Sequence, residues 1–246
     1  MAINNISDYV RIGDLHTHTV FSHGTGTIED NVKVAIEKGI KEIAISDHGP
    51  GHLNYGVKRD DFPVMRKEVD RLNKKYSEIK IYLSVEANIM SKFPYIDVTE
   101  EEKKLFDFVN AGYHYGILHG YCIRNWLTAR HLMPGRNSLM VKNTDMTVKA
   151  LYNNDIKILT HPGDKGPFDI AEIAKACAET NTIMEINMKH PHLAEEEIRI
   201  AAKENVKFII SSDAHSPERV GTYEGGLLRA FRAGLDPERI VNIKRI

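Results

Sequence analysis

The chain has 246 residues, 42% of them hydrophobic and 27% charged, a balance that belongs to globular proteins and excludes disordered or collagen-like chains. Its 33 lysines and arginines stand against 34 aspartates and glutamates, a net charge of −1 that offers no bulk electrostatic footprint for duplex nucleic acid or an anionic membrane. This length suits one large α/β core better than two separate ones, so a single domain over 1–246 is expected. Cys122 and Cys177 are the only cysteines and have no CxxC spacing, which argues against a disulfide scaffold or zinc ribbon. No signal-peptide pattern and no apolar run of about 18 residues is present. A cytoplasmic protein without a membrane partner is expected.

From the N-terminus onward, short apolar runs alternate with amphipathic ones. A strand is expected at 10–15, then a helix opened by Thr27 with Asp30 as a capping box and closed by Gly39. A strand at 42–46 is followed by a helix that begins near Pro63, with Val64, Val69 and Leu72 on one face. Further strands are expected at 79–85, 108–112, 157–160, 183–186 and 207–211. Helices are expected at 146–152, 170–179, 195–204 and 224–233. Most of the strand runs are apolar without alternation, the pattern of a parallel sheet covered on both faces.

Residues able to bind metals follow nearly every run. Asp14, His16 and His18 end the first, Asp47 and His48 the second, and Glu86 the third. His114 follows the fourth, His161 the fifth, and Asp213 and His215 the seventh. A closed parallel barrel gathers all such ends on one face, whereas an open sheet spreads them along a line. A distorted seven-stranded (β/α)7 barrel is therefore the expected fold class. In Asp-Leu-His-Thr-His at 14–18, strand alternation turns His16 and His18 to the same side, where two imidazoles can share a cation. Imidazoles with carboxylates suit zinc, manganese or iron(II) and hardly suit calcium. Asp14 and Asp47, next to these histidines, are expected to accept the far N–H of ligating imidazoles rather than to be ligands themselves, the alternative being strand-capping residues with no metal role.

DLHTH, SDHG, VEAN, AGYH, THPG and SDAH occur in that order from Asp14 to His215. In these motifs the chain resembles the polymerase and histidinol phosphatase (PHP) domains, and within them the stand-alone YcdX-like phosphatases. The resemblance implies a distorted seven-stranded barrel holding up to three divalent metal ions, and hydrolysis of phosphate esters. It implies nine ligands: His16, His18, His23, His48, Glu86, His114, His161, Asp213 and His215. His16, His18, Glu86 and Asp213 would hold one ion; Glu86, His114 and His161 a second; His23, His48 and His215 a third. Glu86 would bridge two ions, as a carboxylate with two oxygens can. His23, in the Gly-rich segment 22–26, has the alternative of a mobile surface histidine.

Such a cluster demands an anionic substrate. The expected reaction is metal-bridged hydroxide attack on a small phosphomonoester, with Glu86, Asp213 and His215 as catalytic residues and zinc, manganese or iron as the metal. No acidic residue lies between Asp107 and Asp145, where Arg124, Arg130, Arg136 and Lys142 occur with Tyr113, Tyr115, Tyr121 and Trp126. This basic insertion at about 115–143 is either a binding loop whose arginines grip the remote part of the substrate, or a packed helical excursion. His52 and His192 could reach the mouth of the site. His119, His131 and His190 are expected on the surface. Alternatives are a histidinol-phosphate phosphatase in particular, an exonuclease, an amidohydrolase-type enzyme, or a metal-binding module without catalysis.

Overall fold

The computed structural model describes residues 5–246. Eight of its strands run parallel, in two sheets. The first joins β2 (Gly13–Thr17), β3 (Glu42–Ile45) and β4 (Lys80–Leu83). The second joins β5 (Glu86–Asn88), β6 (Asn110–Gly112), β7 (Ile158–Leu159), β8 (Ile183–Asn187) and β9 (Phe208–Ser211) in chain order. In place of one closed ring of seven, the sheets hold three and five strands and meet through isolated parallel bridges, Thr17 with Ala214 and His48 with Glu86. The expected strand at 79–85 is in fact two, because the path breaks at Ser84 and Val85 and re-pairs with β6 from Glu86. The run at 10–15 is also divided: β1 (Tyr9–Arg11) pairs antiparallel with β10 (Ile243–Arg245), and only the residues from Gly13 join the parallel sheet.

Burial explains the lack of alternation. Every residue of β2, β5, β6, β7, β8 and β9 is buried, as strands covered on both faces require. Leu15, Ala44, Ile158, Ile183 and Ile209, from five different strands, pack into a small cluster of their own. The larger core lies against the helices.

Helix α1 (Ile28–Glu37) starts as expected: Thr27 Oγ1 accepts the Asp30 N–H while Asp30 Oδ2 accepts the Thr27 N–H, and Gly39 takes φ +71° past its end. In α2 (Phe62–Lys75) the buried face is Phe62, Met65, Val69 and Leu72, and Val64 is 53% exposed. The expected face was thus one position out, since a stripe at i, i+3 and i+7 includes Met65 and leaves out Val64. Helices α6 (Ile170–Thr180), α7 (Glu195–Ala201) and α8 (Glu224–Arg232) lie where expected, α7 being shorter. Between them and α2 the chain forms a single-turn helix, α3 (Glu100–Lys103).

The basic segment is largely helical, with α4 (Cys122–Ala129) and an α5 (Arg136–Asn153) that begins ten residues before the expected 146–152. Its first half was obscured because polar side chains occupy the buried face. Asn143 Nδ2 donates to Asn125 Oδ1 at 2.9 Å and to Pro167 O at 3.0 Å, and Asn125 Nδ2 returns a bond to Asn143 Oδ1 at 3.0 Å. Buried amides satisfied in this way pack helices together without a hydrophobic signal.

Candidate metal centre

The C-terminal ends of the parallel strands bring His16, His18, His48, Glu86, His114, His161, Asp213 and His215 together, and all of these except the fully buried His16 and His18 line a cavity of about 280 Å³. Glu86 lies at the centre of the cluster. Its Oε1 is 2.9 Å from His161 Nε2, 3.2 Å from His114 Nε2 and 3.4 Å from His16 Nε2. Its Oε2 is 2.9 Å from His48 Nδ1 and 3.6 Å from His18 Nε2. Asp213 Oδ1 lies 3.2 Å from His18 Nε2 and 3.9 Å from His16 Nε2.

Among the described residues, three groups have ligand atoms within 4.8 Å of one another: His16, His18 and Asp213; His48, Glu86 and His114; and His18, His48 and His215. This partition departs from the one the motifs imply, in that His18 joins His48 and His215, and His48 joins Glu86 and His114. His23 is not left on the surface. Its ring stacks on His48 at 4.9 Å and meets His215 edge-on at 4.1 Å.

Local structure holds these groups in place. His161 and Asp213 both adopt left-handed backbone, φ +29° and +49°, an unfavourable conformation of the kind that collects at functional sites. Gly112 is obligatory in AGYH, because a Cβ there would meet Thr160 Oγ1 at 2.2 Å and crowd Glu86 Oε1 and His161 Cε1 at 3.0 Å. Glu86 Oε1 also accepts the Thr160 hydroxyl at 2.7 Å.

Electrostatics favour cation binding. Burial, reinforced by the neighbouring His215 and His48, holds His18 well below an ordinary imidazole and His23 at about 3. Burial likewise lowers His114 to about 3 and His215 to about 4. Burial alone would raise the Glu86 carboxyl, but the charges of His114 and His16 win and hold it well below the usual range; His16 and His18 do the same for Asp213. Against burial, Glu86, Glu185 and Asp213 lift His16 well above its ordinary value, and Glu86 raises His161. His18, His23, His114 and His215 are thus held toward the neutral form that can donate a lone pair, beside carboxylates held toward the ionised form. The donors are nitrogen and oxygen, as borderline divalent ions prefer. His18 Nδ1, His23 Nδ1 and His161 Nδ1 are buried without a hydrogen-bond partner among the described residues, and His48 Nδ1 and Glu86 Oε2, though 2.9 Å apart, are not aligned as a hydrogen bond, which fits unused coordination capacity.

The family model described as the PHP domain matches residues 14–214, which span every one of these groups except His215. The chain belongs to the PHP domain family. It is 31% identical over 242 residues to a protein of Proteus mirabilis (strain HI4320) named "Probable phosphatase PMI1003", covering 93% of this chain and 89% of that one. A similarly named phosphatase of Thermoanaerobacter sp. (strain X514) is 30% identical over 244 residues, with the same coverage. The fold is similar to histidinol phosphate phosphatase from Lactococcus lactis, solved with zinc, L-histidinol and phosphate: TM-score 0.63, 16% identity, 92% of this chain and 95% of that one. This PHP chain is a metal-dependent phosphatase, a hydrolase of phosphoric ester bonds.

In this PHP domain Asp14 and Asp47 hydrogen-bond to none of these imidazoles. Asp14 accepts backbone N–H groups of Ser212 and Gly221, and Asp47 accepts Thr19 N, Thr19 Oγ1 and Ser22 Oγ, so each ties loops together. The far nitrogens of the imidazoles meet other partners. His16 Nδ1 lies 2.8 Å from Glu185 Oε1, and His114 Nδ1 lies 2.9 Å from Asn88 Oδ1. Asn88 is held in turn by Asp97, which accepts its backbone and side-chain N–H groups. Glu185 was missed because it sits inside the sixth predicted strand, not beyond its end; a charged residue in Ile-Met-Glu-Ile-Asn was the available signal.

His52 lines the cavity, as does His190, which was expected on the surface. His192 turns away to Glu197, its Nδ1 3.1 Å from Oε2. Arg124, Arg130 and Arg136 do not line it; the lysines that do are Lys165 and Lys189. Arg130 lies over the Trp126 ring at 4.0 Å. Burial raises the Tyr115 phenol in the cavity wall, and the charge of Arg130 opposes that rise. Among the described residues, no helix is long and apolar enough to cross a membrane.

Proposed function

We propose that this protein hydrolyses small phosphomonoesters at a trinuclear site, with zinc the metal of first choice and manganese or iron also accommodated. The observation that carries this reading is the position of Glu86, whose two oxygens lie between 2.9 and 3.6 Å from nitrogens of five imidazoles. A carboxylate in that position would be able to bridge two ions, and one ion with an open coordination site would not use so many donors. His16, His18, Glu86 and Asp213 would hold one ion, Glu86, His114 and His161 a second, and His23, His48 and His215 a third. Divalent ions bound there supply Lewis-acid charge to the phosphoryl oxygens and bring the ionisation of water into the neutral range. Glu185 and Asn88 orient His16 and His114, so that the two imidazoles turn their Nε2 atoms toward Glu86.

The same reading takes the chain as one domain with a basic insertion at 115–143, acting in the cytoplasm. It treats the parallel strands as one distorted (β/α)7 barrel, in which β4 and β5 are segments of a single strand. The two bridges between the sheets and the inner cluster drawn from five strands support this.

The test is direct. Metal-replete protein is assayed against p-nitrophenyl phosphate and a panel of phosphorylated metabolites that includes histidinol phosphate. Turnover that stops on chelation and returns with zinc or manganese is expected. Turnover that survives a chelator would point to a protein nucleophile and overturn the reading.

A further inference from the structure

One wall of the cavity carries positive charge that the ligand set does not use. Lys189 and His190 follow β8, and both backbone N–H groups donate to Asn187 Oδ1, at 2.8 and 2.7 Å. The amide of Asn187 donates in turn to Glu185 Oε2 at 2.7 Å and Asp213 Oδ2 at 3.1 Å. Lys189 is therefore mounted on the same hydrogen-bonded frame as the carboxylates of the centre. Its Nζ lies 3.0 and 2.9 Å from Nδ1 and Nε2 of His215, and among the described residues no carboxylate pairs with it.

Lys165 stands beside it on the loop after β7. Its Nζ is 2.5 Å from Asp164 Oδ2 and 3.5 Å from His190 Nδ1. The loop is pressed against α4 and α5: a Cβ on Gly166 would meet Asn125 Oδ1 at 2.7 Å and Asn143 Nδ2 at 2.8 Å. The charges of Asp213 and Glu86 are felt at Lys189, and those of Lys165 and Arg219 oppose them.

An ammonium group beside a ligand of a divalent-ion cluster is repelled by it, and in a partly desolvated cavity that repulsion is strong. Asp164 is already engaged by Lys165 and His190. With divalent ions bound, their charge would outweigh Glu86, Asp213 and Glu185, and a single phosphoryl dianion on the ions would leave Lys189 without a carboxylate partner, Lys165 being paired among the described residues with Asp164 alone. We propose that Lys189 and Lys165 form a subsite for a second anionic group, so that the preferred substrates are phosphomonoesters that also carry a carboxylate or a second phosphoryl group. This rests on the phosphatase reading above and narrows it.

The test uses a matched series on zinc-loaded protein: butyl phosphate, 4-(phosphonooxy)butanoate and butane-1,4-diyl bisphosphate. The last two distinguish a carboxylate from a phosphoryl group as the second anion. Parent protein is expected to favour at least one of them over butyl phosphate by about tenfold or more in kcat/KM, the scale of one charge-assisted contact. In Lys189→Met and Lys165→Met that ratio falls toward one, and Lys189→Arg retains it. Calorimetric binding of butylphosphonate and butane-1,4-bisphosphonate reads the same preference without turnover, so a failed phosphatase assay and a failed subsite give different results. A parent protein that shows no preference in turnover or binding overturns the proposal. So does a lysine variant that loses butyl phosphate as severely as the bisphosphate, because the lysines would then grip the scissile phosphoryl group.

Discussion

His16 and Glu185 stand 169 positions apart, yet Nδ1 of one lies 2.8 Å from Oε1 of the other, both fully buried. The other oxygen of Glu185 accepts the His161 backbone N–H at 2.8 Å, so this one carboxylate fixes two of the proposed ligands. Glu185→Gln should weaken metal binding by about 10- to 100-fold, the usual cost of losing a group that orients a ligand. Competition with a chromophoric chelator measures this. Affinity equal to the parent's would reduce Glu185 to a packing role.

Metal content offers a second check. Elemental analysis of supplemented protein should approach three ions per chain. Glu86→Gln should lose two together, since the side chain is shared, whereas His23→Ala should lose one. Equal losses from the two variants would contradict the bridge.

Arg130 is the arginine of the basic segment whose charge reaches the cavity, through Tyr115. Arg130→Ala should raise KM several-fold for a phosphorylated metabolite with a bulky remote part while leaving kcat near the parent value, as loss of binding shared by ground and transition states does. Arg124→Ala and Arg136→Ala should match the parent. If all three variants are indistinguishable from it, the insertion has no part in substrate binding.

A pH effect is expected away from the centre. Glu29 on α1 accepts Lys75 Nζ, Tyr76 OH and Arg71 Nη2 from α2 and the residue after it, and these contacts lower its carboxyl to about 2 from an ordinary 4.5. A carboxyl lowered on folding stabilises the protein above its unfolded value, and that contribution is lost as pH falls from about 4.5 through about 2. Glu29→Gln should therefore lower Tm slightly at pH 7 and 5, with the difference shrinking below pH 4. A difference that stays constant over that range would mean the carboxylate charge is not the cause.

The sequence by itself determined the family, the alternation of parallel strands with helices, and which imidazoles and carboxylates gather beyond the strand ends. The reason is local: DLHTH, VEAN, THPG and SDAH each place their polar residues where an apolar run breaks, and a parallel strand delivers whatever follows it to the same face. Thr27 and Asp30, or Gly39, were legible for a similar reason, since caps are written within four residues. What the tertiary structure alone decided depends on contacts between distant segments. Asp14 and Asp47 looked like partners of the neighbouring imidazoles but bind loops instead, while Glu185, inside a strand, orients His16 across the fold. The first half of α5 stayed hidden behind Asn143, whose burial makes sense only beside Asn125. Lys189 and His190 came to the cavity from a loop with no motif, and Lys165 from two residues beyond THPG, because which side chains of these loops turn into the cavity is fixed by how β7 and β8 pack, and no local spacing encodes that.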